Sequence, residues 1–269
     1  MHSAVPFMAD TAPTGAGAAA GRWLAFDTST ERMSIALSDG ERLWQHESAG
    51  AALTSTTLIP ALLQMLDVAG LRLSQLDAIA FGRGPGSFTG LRTACAVAQG
   101  LALGAGVPVL PIDTLAALAE EARFAWLKTH PLTALPQQLS AMLDARMNEI
   151  YVQHFHLNGT AYQPLAPCTL VPPQGLAPAW QSKESRLLTG NVFEVYADRL
   201  PAFPACSTVL PALPTAAAML RLAPALMAAG AARPPEQALP LYVRDKVAQT
   251  TDERAQVQRA ALAAAQNSP

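Results

Sequence analysis

The sequence is short of charge, histidine, cysteine and aromatic rings, and each shortage excludes something. Charged residues make up only 14% of the chain and nearly cancel, leaving a net charge of -2 and a pI near 6.2. A chain so balanced lacks the basic footprint of a protein that grips nucleic acid alone. The three cysteines, Cys95, Cys168 and Cys206, lie too far apart for a disulfide framework or a zinc spacing. They fit a reducing cytoplasm, and that is the expected location. None of the five histidines, His2, His46, His130, His154 and His156, forms the i, i+4 pair that sets two imidazoles on one helix face. No His-Glu-x-x-His motif and no signature of a nucleophile with its base occurs. No apolar run spans a bilayer: residues 91–110 are broken by Arg92, Gln99 and several glycines.

Hydrophobic residues are abundant, at 51% of 269 residues. That suffices for a substantial core in one large or two ordinary domains. Residues 1–20, rich in Ala, Gly, Thr and Pro, read as a disordered extension without the basic start of a secretory signal. The chain is organised around Phe81-Gly82-Arg83-Gly84-Pro85-Gly86-Ser87-Phe88-Thr89-Gly90-Leu91-Arg92. An apolar run ends there and an Ala/Leu-rich run begins. Glycine allows the sharp turn between them. Ser87 or Thr89 can cap the helix that follows. The free N–H groups of such a turn suit an anion; packing alone is the other reading.

Residues 22–27 read as a buried strand ending on Asp27, with the polar turn Thr28-Ser29-Thr30 after it. Residues 33–38 and 42–47 follow as strands around an Asp39-Gly40 hairpin. Thr54, Ser55, Thr56 and Thr57 offer caps for a helix to about Ala69. Leu58, Leu62, Met65 and Leu66 form one face of it, while Ile59 and Leu63 make a second side apolar. A helix apolar on more than one side needs cover from its own domain or from a partner. Residues 76–81 are a strand. The helix from about Thr89 to Ala105 is again nearly uncharged, with Leu91, Ala94, Ala98 and Leu101 along it. A shared interface across these two helices is the expectation. Residues 107–112 form a strand and 113–129 a helix, so the first domain spans 21–130.

The second half, 131–244, begins as the first did. A strand at 139–143 ends on Asp144, another runs over 149–157, and Asn158-Gly159 stands where Asp39-Gly40 stood. This is duplication in pattern, not identity. Thirteen of the 22 prolines fall between Pro164 and Pro240, which predicts a loop-rich domain. A short strand at 186–190, a helix at 213–229 and a terminal strand at 239–243 complete it. In the tail, 245–269, Thr250 with Glu253 reads as a capping box for a last helix; its small apolar face also fits a merely solvated tail.

Four motifs in order carry a resemblance over roughly residues 22–244. They are Phe26-Asp27-Thr28-Ser29-Thr30; Gly84-Pro85-Gly86-Ser87-Phe88-Thr89-Gly90-Leu91-Arg92; Leu143-Asp144-Ala145-Arg146-Met147-Asn148-Glu149-Ile150-Tyr151; and Leu239-Pro240-Leu241-Tyr242-Val243-Arg244. Together they resemble the bacterial TsaB family. The resemblance implies an α/β fold of two similar actin-, chaperone- and sugar-kinase-like (ribonuclease H-like) domains with a cleft between them. It implies a non-catalytic role in forming N6-threonylcarbamoyladenosine beside the anticodon of tRNAs that read codons starting with A. It implies a heterodimer with TsaD through the two apolar helices, with TsaE joining the pair and tRNA met only through the complex; when the chain is alone, its uncovered apolar helices are expected to self-associate into a homodimer. The family's His-Ser-Glu-like helix start is Thr54-Ser55-Thr56 here, before Pro60, so any role of that histidine is absent. The extension and the tail exceed the usual family length.

Asp27, Thr28, Ser29, Gly84, Gly86, Ser87, Thr89 and Arg92 are the candidate anion or nucleotide residues. No cofactor of the chain's own and no metal site are expected; ATP or ADP at the complex interface is. Asp144 is either a cleft carboxylate or a turn residue paired with Arg146 or Arg92. Tyr242 and Arg244 are expected to fix the last strand to the core, and His154 and His156 to lie on the surface. The rival reading is an active ATPase or phosphotransferase built on Asp27 and the glycine turn.

Overall fold

The computed structural model describes residues 8–10, 21–50, 54–180 and 184–244. The rest of the expected extension, the side chains of Thr54 and Ser55, and the tail with Thr250 and Glu253 lie outside the described residues. Two six-stranded sheets form the frame. The first runs β1 (Met8–Asp10), β4 (Leu43–Ala49), β3 (Arg32–Ser38), β2 (Trp23–Asp27), β5 (Ala78–Gly84), β6 (Val109–Asp113). Its right half is parallel and its left half antiparallel. The second runs β10 (Thr169–Val171), β8 (Ile150–Asn158), β7 (Gln138–Asp144), β11 (Arg186–Gly190), β12 (Ser207–Leu210), with β9 (Ala161–Pro164) also on β8. Each sheet thus has a first strand ending on an aspartate, an antiparallel hairpin beside it, and parallel strands on the other flank. The duplication legible in the turns is real at the level of topology.

Alternation of side chains in the first sheet separates two kinds of helix cover. Leu24, Phe26, Ile35, Leu37, Ile79 and Phe81 face α1 (Thr54–Ala69) and α2 (Phe88–Ala105). Ala25, Ala36, Ala78 and Ala80 face the other way. Small residues on that side admit α5 (Ala216–Ala228), itself lined by Ala216, Ala218 and Ala223. With both faces covered, β2 is buried throughout. In the second sheet, Leu139, Ala141 and Leu143 pack on α3 (Thr114–Thr129), and Met142 and Leu188 pack on Leu176, Val192 and Tyr196.

This packing revises several expectations. Met8–Asp10 is an edge strand on β4, not part of a featureless extension. The helix after β6 covers the second sheet, while α5 returns to the first, so each lobe borrows a helix from the other half of the chain. An ion network joins the two borrowed helices. Arg221 binds Glu120 at 2.9 Å and Glu121 at 2.6 Å, and Arg123 binds Glu120 at 2.6 Å. The terminal strand at 239–243 does not form; one bond, Leu241 N–H to Arg83 C=O at 2.7 Å, attaches that segment to the end of β5. Sequence reading also missed β9, β10 and β12, which are three or four residues long.

The interface expectation changes most. Leu58, Leu62, Met65 and Leu66 of α1 and Leu91, Ala94 and Ala98 of α2 are buried in the chain's own core, and Leu101 packs against it half-buried. The i, i+3, i+4 stripe that looked like a partner face is the face that covers the sheet. Of those nine positions only Ile59 is exposed. The consequence is a contrast between neighbours in sequence. Leu62→Ala should destabilise the fold by about 2–5 kcal/mol, and Leu63→Ala by no more than about 0.5 kcal/mol. Urea unfolding of the two variants measures this.

Candidate functional site

β2 delivers Asp27 to the end of the first sheet, and the Thr28-Ser29 turn folds back on it. Ser29 donates to Asp27 Oδ1 from its backbone N–H at 3.0 Å and from its hydroxyl at 2.6 Å. Oδ2 is buried with no partner. Gly82 leaves it room: a Cβ there would sit 1.9 Å from Oδ2. Burial pushes the Asp27 carboxyl up to about 6, against the opposing pull of the Ser29 bonds.

The glycine turn packs directly onto this first turn. Ser87 N–H donates to Ser29 C=O at 2.7 Å, and the Thr28 hydroxyl donates to Gly90 C=O at 2.8 Å. A Cβ at Gly90 would meet Thr28 C=O at 1.9 Å, and one at Gly86 would meet Ser29 C=O at 2.6 Å. These two glycines therefore let one backbone touch another. Ser87 caps α2 by accepting from Gly90 N–H at 3.4 Å, while Thr89 is exposed. Gly84 has a φ of 119° and approaches Leu241 C=O, where a Cβ would come to 2.7 Å. So Thr28, Ser29, Gly84, Gly86 and Ser87 do come together as the sequence suggested. The contacts they make are with each other and with residue 241.

Beside this cluster a cleft of about 310 Å³ opens between the lobes. Ser29, Thr30, Glu31, Gly86, Ser87 and Phe88 line the first-lobe wall. Asp144, Arg146, Tyr151 and Asn191 line the second. Asp27 does not reach it. Asp144 does, and it is well partnered: Oδ1 accepts from the Tyr196 hydroxyl at 2.6 Å and from Arg146 N–H at 2.8 Å, and Oδ2 pairs with Arg146 at 3.1 Å. Asp144 is thus the turn residue paired with Arg146. Arg146, Met147 and Asn148 all have left-handed φ values of 61°, 52° and 62°. Non-glycine residues adopt that region at a cost of roughly 1–2 kcal/mol each, so the surroundings must hold the turn in place. Arg199 binds Asn148 at 2.5 Å on one side, and Arg244 binds Glu149 and Ala145 C=O on the other.

Arg92 is exposed and stacks over Phe88 at 3.8 Å, while its Nε donates to the Tyr242 hydroxyl at 3.0 Å. Tyr242 and Arg244 hold an irregular segment, not a strand. His154 is half-buried, with Nδ1 2.9 Å from the Ser140 hydroxyl. Among the described residues, no group of three His, Cys, Asp or Glu side chains could hold a metal ion. Sequence reading missed Asn191 and Tyr196, which act on Asp144 from 47 and 52 residues away.

A second feature lies on the outside of α1 and α2. Ile59, Leu63, Val68 and Leu103 are 41%, 48%, 56% and 71% exposed. Gly100 and Gly104 have open space above them, and Ala96 is exposed between Arg92 and Gly100. A shallow groove of about 410 Å³ runs along Arg72, Leu73, Gly100, Leu101 and Gly104. Large apolar side chains thus stand beside a flat strip of small ones.

Comparison with known proteins places this geometry. The family profile described as "TsaD: tRNA N6-adenosine threonylcarbamoyltransferase" matches residues 51–186, about half of the chain. The structure of YeaZ from Pseudomonas aeruginosa is 36% identical, with a TM-score of 0.72, and the match covers 82% of this chain and 99% of that one. The tRNA threonylcarbamoyladenosine biosynthesis protein TsaB of Haemophilus influenzae is 46% identical over 129 residues, 48% of this chain and 51% of that protein. The chain belongs to the TsaB (YeaZ) family. Escherichia coli TsaB is 38% identical over 130 residues, 48% of this chain and 53% of its own length. The match thus spans about half the length of these curated relatives. The fold is the two-domain α/β architecture that the resemblance implied.

Asp27 carries a pH consequence. Its folded-state value lies above its unfolded value of 3.8. The ionised form is therefore the one the fold disfavours, and stability present below about pH 4 is lost as pH rises through about 6. Asp27→Asn should remove most of that decline, worth roughly 2–3 kcal/mol by linkage. From pH 4 to pH 7 the urea midpoint of the wild type should fall relative to that of the variant, the comparison cancelling the opposite trend from His46 and His154, whose burial holds them below the usual imidazole range.

Proposed function

We propose that this chain is a non-catalytic partner of a tRNA N6-adenosine threonylcarbamoyltransferase, in the step that places threonylcarbamoyl on the adenosine beside the anticodon. The outer ridge of α1 and α2 carries the reading. Exposed Ile59, Leu63, Val68 and Leu103 beside the small residues Ala96, Gly100 and Gly104 make a surface on which another helix pair can lie closely. The names of the relatives support the pathway, and the chain's own match to a transferase profile supports a partner of related fold. On this reading the partner is TsaD, the ATPase TsaE joins the pair, and tRNA is met only through the assembly. The low net charge agrees with that last point. A nucleotide would sit between chains, because the first-lobe glycine turn is filled by the Thr28-Ser29 turn. Alone, the same ridge would pair two copies of this chain in the cytoplasm.

Size-exclusion chromatography with light scattering, mixing this chain with its host's TsaD, tests the reading. A one-to-one complex is expected at micromolar concentration. Leu63→Asp and Gly100→Asp should each weaken it by about 10- to 100-fold, since a charge would be buried without a partner. Both sites are exposed, so the variants should stay folded. No complex, or a complex indifferent to both charges, would refute the assignment.

A further inference from the structure

Residues 239–244 cross from the first lobe to the second along one edge of the cleft. At the first-lobe end, Leu241 N–H donates to Arg83 C=O at 2.7 Å, in the space that Gly84 leaves open. Tyr242 lies 5.5 Å from the Phe88 ring and accepts from Arg92. At the second-lobe end, Arg244 binds Glu149, donates to Ala145 C=O at 3.2 Å and touches Met147 Sδ at 2.8 Å. Val243 packs on the second-lobe core between these anchors. Four consecutive residues, 241–244, line the cleft.

The covalent links between the lobes lie elsewhere, at Asp113–Thr114 and just before α5. The ion network of α3 and α5 holds that side. The segment 239–244 is a further crossing, and it is non-covalent at its second-lobe end. We propose that it is a strap that sets the width of the cleft: while Tyr242 and Arg244 are seated the lobes are held close, and their release lets the lobes part about the α3–α5 side. The anchors suit a strap that can let go. Tyr242 and Arg92 are solvent-exposed, and exposed contacts of this kind contribute little. Arg244 grips the strained turn at 146–148, whose left-handed backbone needs external support. Release of the strap therefore frees both the cleft and the turn that forms its far wall.

The test is a distance between lobes in the isolated full chain. Spin labels at Glu41→Cys and Asp198→Cys, with Cys168 and Cys206 changed to serine, report it by double electron–electron resonance. The unmodified strap should give a narrow distribution. Tyr242→Ala with Arg244→Ala should shift the mean to longer distance and broaden it, with circular dichroism unchanged. Arg244→Ala alone cuts only the second-lobe anchor and should move the distribution in the same direction. A folded double variant with an unchanged distribution would overturn the strap. So would an unfolded double variant together with an unchanged distribution in Arg244→Ala.

Discussion

The structure depends on one contact between two turns. The backbone of the glycine turn lies against the backbone of Thr28 and Ser29, closely enough that a single methyl group at Gly90 would fall 1.9 Å from a carbonyl oxygen. That contact fixes the start of α2 relative to the end of β2. It also determines what the glycines can do. A glycine-rich strand-to-helix turn is a ready anion cradle when its N–H groups face open space. Here Ser87 N–H is taken by Ser29 C=O and Gly90 C=O by Thr28. Both groups are thus engaged by the chain's own first turn.

The second lobe repeats the device in reduced form. Gly190, at φ 131°, ends β11 against β7, where a Cβ would fall 1.6 Å from Met142 C=O. Asn191 then accepts from Asp144 N–H at 2.9 Å. The helix that follows, α4 (Val192–Val195), has four residues where α2 has eighteen. Both lobes thus pair an aspartate turn with a glycine turn, and the difference lies in what covers each. Asp27 is sealed under Gly82 and Met219. Asp144 stays at the cleft wall, and its oxygens are met by Tyr196 and Arg146.

Much of this was legible from residue order. Strands read from period-2 alternation, the two Asp/Asn-Gly hairpins and the helices α1, α2 and α3 fell within a few residues of their observed limits. Local chemistry dictates them: turn residues, caps and apolar stripes act over a handful of positions. What could not be read depends on which of two apolar sides wins the sheet. Leu62 and Leu63 are equally hydrophobic, yet one is fully buried and the other half exposed. Only the register of the helix on the sheet separates them. The return of α5 to the first sheet is likewise a property of topology. Its cue was present but quiet, in the alanines at 25, 36, 78 and 80 that thin one face of that sheet. The terminal strand failed for a comparable reason. Residues 239–243 have strand composition, but they run across the gap between lobes, where one ladder bond is available.

The sealing of Asp27 and the bareness of the α1–α2 ridge have a common origin. A carboxylate that served a ligand in the cleft would need a path to it, and such a path would require the glycine turn to stand away from Thr28 and Ser29. With the turn closed, α2 is held rigidly from its first residue. A rigid helix loses little conformational entropy when a second surface packs on it, and pre-organisation of that kind favours association. Gly100 and Gly104 would weaken an isolated helix, but the closed turn and the core anchor α2, so that their small size and that of Ala96 are usable on the outer face. The same closure that fills the glycine turn from the inside therefore leaves the small residues of α2 facing outward.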